Sequence, residues 1–461
     1  MTIRPSRYPV IAIAFVAACS SNSPDQTTTP PAATFTVGPH DIWAGSTVTI
    51  RSSAFHGAID TTGVAQFNGT SLVLHRVDDT TVSVDLPPST MAGSYPLSLQ
   101  FAAVVKTLDP ITVYGYADST SYPIQNDWDT YAWPRGTPHA MVMGTNDGDV
   151  IHLVDLDTHA VTLISGLSSH GANTGLDSPG FTYADDNALV VQPATPSSPP
   201  SYALIHAVSP PVFIPQLGLN VGLDGPPHQL LKLGPTTWFA AGKSGSVVVT
   251  NVDSTDPFSA GTITPLPTGG DAWGVYMSPR HDRATYAPDH IVAGAGVPVL
   301  AMPSGNVAFA VPMPIGASSA DFSADGSLLA MTGGSQAREG FFGRLMVVSA
   351  NDGTMQHDTT FSTNTYLASF DPVRPLLYVW TLVTDLGSSV LKSEVVVLDR
   401  GTFRVVGRME TPQNSAATCN TNFSGALSVS SSGNALYAFR GCYTTPSVAL
   451  RFTLPSDSGI Q

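Results

Sequence analysis

Five aspartates recur along the chain at nearly even intervals: Asp129, Asp177, Asp224, Asp271 and Asp321. Each stands just before, or at the start of, an apolar stretch, and His228 and Trp273 lie close to two of them. Carboxylates that converge on one mouth make an acidic funnel, here with an aromatic wall. Such a funnel suits a cation, a metal or a polar neutral ligand. The competing reading is that Asp in these places satisfies backbone N–H groups of tight loops, as turns recruit it whatever the function.

Other catalytic signatures are missing. Ala240-Ala241-Gly242-Lys243-Ser244 ends like a phosphate loop, but Thr237 stands where the first glycine is needed. There is no G-x-S-x-G elbow, no H-E-x-x-H and no pair of histidines at ligand spacing. His281 and His290 read as surface residues of a variable loop. Asp147-Gly148-Asp149 and Asn351-Asp352-Gly353 lack the later carboxylates of a calcium loop and read as hairpin turns. No metal site, catalytic residue or cofactor is expected, and the balance is against an enzyme.

The aspartates must be positioned by β-structure. Charged residues are 11% of the 461, against about 25% in an average soluble domain. Glu occurs only at 339, 394 and 410, and Lys only at 106, 232, 243 and 392, so the usual builders of exposed helix faces are scarce. Val, Thr, Ser, Gly and Pro replace them, the residues of strands and tight turns. The mature chain is therefore expected to be all-β. Its net charge is −15 without a basic patch, which excludes nucleic acid as a partner class.

From Tyr116 onward one pattern repeats: an apolar strand, a polar turn, a second apolar strand. The turns fall near 135, 184, 234, 280, 325, 373 and 431, spacings of 45 to 58 residues, and two further strands follow each pair. Seven units at this period mean a propeller or a solenoid, and four strands per unit favour the propeller. Ser323-Ala324-Asp325-Gly326 and Val397-Leu398-Asp399-Arg400-Gly401-Thr402 resemble the turn and hairpin motifs of the YVTN/quinoprotein-like propellers. The resemblance implies a seven-bladed β-propeller over 122–456, its binding mouth where the inner strands begin. Val448–Pro455 is expected to complete its own unit, with no strand borrowed from the N-terminal side.

Between Thr34 and Gly115 the text alternates with period two, as in a small β-sandwich: Val48 and Ile50, then Val82, Val84 and Leu86, then Leu97, Leu99 and Phe101. Gly45–Ile50, Phe67-Asn68-Gly69, Leu86-Pro87-Pro88 and Gly93 resemble the IPT/TIG immunoglobulin-like domain, although Ser52-Ser53-Ala54 stands where that family carries a glycine before Phe55. The resemblance implies a spacer or adhesion module over 34–115.

The N-terminus sets the compartment. Arg4 and Arg7 precede an apolar run, Tyr8 to Ala18, and no acid appears before Asp25. Eleven helical residues rise only about 16 Å, half of what a span needs, so the segment reads as a secretory signal. Val16-Ala17-Ala18-Cys19 resembles the lipobox of bacterial lipoproteins. That implies removal of 1–18, acylation of Cys19 and a bilayer partner, with 19–33 as a flexible linker. Ser20 in place of Asp points to the outer membrane of the envelope rather than the inner. Cys419 and Cys442 flank a hairpin, and an exported chain permits a structural disulfide between them.

Together these features describe an exported, lipid-anchored binding or scaffold protein that engages a protein or glycan through its propeller. The alternative is a propeller enzyme, a lactonase-like hydrolase or a quinoprotein-type oxidoreductase, and fold alone does not choose.

Overall fold

The computed structural model describes residues 34–55, 63–101, 104–122, 131–132, 140–144, 151–164, 181–184, 187–192, 201–206, 212–215, 229–242, 245–252, 261–267, 272–288, 295–313, 316–337, 340–361, 364–384, 391–411, 424–430, 432–441 and 447–456. Among them every regular element is a strand, apart from one 3-10 turn at Ser53–Phe55.

Eleven strands form the first unit: β1 (Phe35–Gly38), β2 (Asp41–Trp43), β3 (Thr47–Ser52), β4 (Val64–Phe67), β5 (Thr70–Val73), β6 (His75–Arg76), β7 (Thr81–Asp85), β8 (Gly93–Tyr95), β9 (Leu97–Phe101), β10 (Val104–Thr107) and β11 (Ile111–Tyr114). They make three small sheets, in the orders β1-β3-β7-β6, β10-β9-β4-β5 and β2-β11-β8. The inward residues of the alternating text, among them Val48, Ile50, Val82, Val84, Leu97 and Leu99, meet in one core. Asn68 and Gly69 both take positive φ, 48° and 76°, as a two-residue hairpin between paired Phe67 and Thr70 requires.

Among the described residues, seven four-stranded antiparallel sheets follow. The first six are β13–β16 (Tyr131–Ala132, Ala140–Gly144, Ile151–Asp155, Val161–Ile164), β17–β20 (Phe181–Ala184, Asn187–Gln192, Ser201–His206, Val212–Pro215), β21–β24 (Gln229–Gly234, Thr237–Gly242, Gly245–Thr250, Thr262–Pro265), β25–β28 (Ala272–Met277, Arg283–Pro288, Val297–Ala301, Val307–Val311), β29–β32 (Ser319–Phe322, Leu328–Ala337, Gly340–Ser349, Met355–Phe361) and β33–β36 (Asn364–Phe370, Leu376–Thr384, Leu391–Asp399, Val405–Glu410). In each the strands lie in chain order. The seventh sheet holds β37 (Ser424–Val429), β38 (Ala435–Gly441) and β39 (Ser447–Thr453). Its fourth strand is β12 (Tyr116–Tyr122), which pairs antiparallel with β39 from Tyr116↔Phe452 to Tyr122↔Ser447. This corrects the expectation that the last unit would close on its own strands: the strand that completes it comes from before the first sheet.

Alternate residues of one strand serve two neighbours. On β38, Leu436 and Ala438 pack with Tyr378 and Trp380 of the sixth sheet. Tyr437 and Phe439 pack instead with Val154 and Leu156 of the first. The same division runs through the third, fourth, fifth and sixth sheets, and first strands of successive sheets lie side by side. The seventh sheet thus meets both the sixth and the first, and the ring is closed: a β-propeller. Central strands such as β23, buried over Gly245–Val249, read as continuous apolar runs because neighbours cover both faces. Each buried Val, Leu or Phe contributes about 1.5–3 kcal/mol, against about 0–1 for an exposed ion pair, so sheet-on-sheet packing holds the ring.

Candidate functional site

The two ends of the propeller are built differently. At one end a buried Ser or Asp terminates the inner strand and recurs in four consecutive sheets as Ser278, Ser323, Asp371 and Ser430. Each N–H donates to the carbonyl five residues on, Arg283, Leu328, Leu376 and Ala435, at 2.8–3.0 Å. The side chains then hold the turn. Ser323 Oγ accepts from Leu328 N–H at 2.9 Å and donates to Asp325 at 2.6 Å. Hydrogen bonds from the Ser323 and Ser327 hydroxyls hold the Asp325 carboxyl well below its ordinary range. The second hairpin of a sheet closes the same way, at Asp155→Ala160, Ala301→Asn306, Ser349→Thr354 and Asp399→Arg404. These turns are short and internally satisfied, which suits scaffolding rather than recognition.

All connections that lead into an inner strand, or join second and third strands, leave from the opposite end, because consecutive strands are antiparallel. They include 165–180, 216–228 and 411–423, of 13 to 16 residues, whereas the turns of the other end run from two to seven residues apart from 251–261. Asp129, Asp177, Asp224, His228 and Asp271 belong to these connections and lie outside the described residues, as do Cys19, Cys419 and Cys442. Trp273 is the second residue of β25. The described hairpin, with Ser424 opposite Gly441 and Val429 opposite Leu436, centres between residues 432 and 433, later than the midpoint of Cys419 and Cys442.

Asp321 is placed differently. It sits within β29, not before it. Its Oδ2 accepts from Phe370 N–H of β33 at 2.7 Å, and two residues earlier Ser319 Oγ accepts from Ala368 N–H at 3.2 Å. Here the carboxylate and hydroxyl satisfy backbone donors of the adjacent inner strand.

Two polar constellations escaped the sequence reading. Asp371 and Arg374, 0% and 4% exposed as side chains, form a buried pair at 2.6 Å. Tyr378 donates to the same Asp371 oxygen at 2.7 Å. The other Arg374 nitrogens donate to the carbonyls of Gly433 and Pro455 in the seventh sheet. Burial first, then the Asp371 charge, raises the Tyr378 pKa, so the phenol remains a donor. The second lies where the ring closes. Tyr122 hydroxyl meets His159 Nδ1 at 3.2 Å, Tyr437 donates to Asp157, and Arg451 pairs with Asp118. Burial pushes Tyr122 up to about 12, with the Asp155 and Asp118 charges adding to it. A Ser or Asp five residues before a strand start was the available signal for the turns; nothing local announced the closing seam.

Among the described residues no group of three metal-ligating side chains occurs, and no helix is long and apolar enough to cross a membrane.

No family model and no curated protein matches the chain. Solved structures do resemble it. One is a chain of the mitotic checkpoint complex, 11% identical with TM-score 0.49, covering 74% of this chain and 96% of that one. Another is Sqt1 of Chaetomium thermophilum, bound to the N-terminus of a ribosomal protein, 14% identical with TM-score 0.42, covering 73% and 100%. A third is an auxiliary nutrient binding protein from Bacteroides thetaiotaomicron, 9% identical with TM-score 0.32, covering 91% and 97%. These likenesses are remote, and no activity or partner passes from them to this chain.

Proposed function

We propose that the protein is an exported binding or scaffold protein, tethered to the bacterial cell envelope by an acylated Cys19. It engages a protein or glycan partner through the end of the propeller that carries the long connections. One observation carries the reading: at one end the described turns are closed by their own hydrogen bonds and, apart from 251–261, are short, while the longest connections leave from the other end. Long loops on a rigid ring are where recognition residues are affordable, because they can vary without disturbing the core. The connections at that end contain Asp129, Asp177, Asp224, His228 and Asp271, and Trp273 follows in β25, a composition suited to an acidic, partly aromatic mouth. Asp321 is set apart from this group by its bond to Phe370. The first unit, in its IPT/TIG-like reading, stands between tether and propeller.

Crosslinking in intact cells of the host, followed by mass spectrometry of what co-purifies, tests the reading. The expected result is a reproducible partner that is lost when Asp224→Asn, Asp271→Asn and Trp273→Ala are combined. Recovery of the same partner by the triple variant, or of none by the wild type, would overturn it. Intact-mass measurement of wild type and Cys19→Ser separately reads the lipid.

A further inference from the structure

Trp43 belongs to the first unit by chain position but not by packing. Its neighbours Ile42 and Ala44 lie in that unit's own core. Trp43, 2% exposed, instead joins Leu376, Tyr378, Trp380, Val395 and Met409 of the sixth propeller sheet. Its ring meets Tyr378 edge-on at 6.5 Å and Tyr114 at 5.9 Å. Gly407 makes room for it: a Cβ at that position would stand 2.4 Å from Trp43 Cβ.

The backbone reinforces this contact. β36 is the outer edge of its sheet, and such edges carry unpaired N–H groups. Arg408 N–H donates to Ala44 O at 3.0 Å and Glu410 N–H to Pro88 O at 2.9 Å. Ser46 Oγ donates to Val406 O at 2.9 Å. The covalent link is equally constrained, since Thr453 N–H donates to Gly115 O at 2.9 Å and Ala92 N–H to Tyr116 O at 2.8 Å.

We propose that the immunoglobulin-like unit is a rigid orienting post, pinned by Trp43 in the niche over Gly407.

The test uses the full-length lipidated chain with spin labels carried on keto amino acids at Thr36 and Thr402, both exposed. A single narrow distance distribution is expected for the wild type. Trp43→Ala should broaden it. So should Gly407→Ala, which keeps the indole and wedges the two units apart. A broad wild-type distribution, or one that neither variant changes, would overturn the rigid post.

Discussion

Arg374 lies between two sheets with its guanidinium on Asp371, Gly433 and Pro455 at once, and only 4% of its side chain is exposed. Three other sheets carry Ser at the position of Asp371. The sixth has traded a turn-closing hydroxyl for an ion pair that also grips the last turn and the end of the final strand. Replacing Arg374 by Ala leaves the buried Asp371 carboxylate without its cation and two carbonyls without their donor. The expected loss is about 3–5 kcal/mol in denaturant unfolding. Asp371→Ser should also destabilise, and the double variant should cost less than the two single ones together, since they share one network. Additive effects would mean that the pair is not the unit of stability.

Asp321 and the loop aspartates should separate in a simple experiment. Asp321→Asn weakens a bond to Phe370 N–H and should lower the melting temperature, by the equivalent of about 1 kcal/mol, since hydrogen bonds to charged groups contribute about 1.5–3. Asp224→Asn and Asp271→Asn should leave melting unchanged and act only on partner recovery. A drop in melting temperature for the loop variants as large as that of Asp321→Asn would return them to the structural reading.

The buried tyrosines of the closing seam and of the Asp371 network predict an alkaline transition. Burial is the first cause that raises the pKa values of Tyr122, Tyr378 and Tyr437, Tyr122 to about 12. A group raised in the folded state stabilises fully below its unfolded value, about 10 for Tyr, and that contribution is lost as pH climbs toward the folded value. Stability should therefore fall between about pH 10 and 12, with ionisation of these phenols, followed at 295 nm, coinciding with unfolding. Tyr122→Phe should make the fall shallower. Free titration of all tyrosines near pH 10 in the folded ring would contradict the assignment.

On the acid side the relevant group is His152 of β15, whose Nδ1 is buried without a partner. Desolvation lowers its pKa, so the unfolded chain takes up a proton before the folded one. The sign follows: stability is unaffected above the ordinary imidazole value of about 6.5 and declines as pH falls below it. His152→Leu should flatten the dependence of melting temperature on pH between about 6.5 and 5. An unchanged slope would shift the cause to other groups, His357 first, whose pKa burial also lowers.

Among the described residues, the paired strands that open each sheet were legible in the sequence, because a strand–turn–strand unit is local and its apolar alternation repeats with the structure. The tight turns were legible too: Ser323 to Gly326 and Asp399 to Thr402 carry the residues that close them. The closing strand was not. β12 reads YADSTSY, with only its terminal tyrosines buried, and its partner lies more than 300 residues away. A mostly polar edge strand cannot be told from a linker until the sheet it joins exists. Asp321 shows the same limit on a smaller scale, since its place in the series of aspartates put it with the loops and the strand register turned it to Phe370.

Composition and periodicity by themselves determined that the chain is all-β and that a sandwich precedes a repeating ring. Those properties follow from near-neighbour rules, the two-residue alternation of a strand and the turn chemistry between strands. Tertiary structure alone decided how the ring closes, which turn received the Arg374 lock, and that Trp43 faces the propeller rather than water. Each of these depends on which surfaces meet across hundreds of residues, and the alternation within one strand carries no record of that.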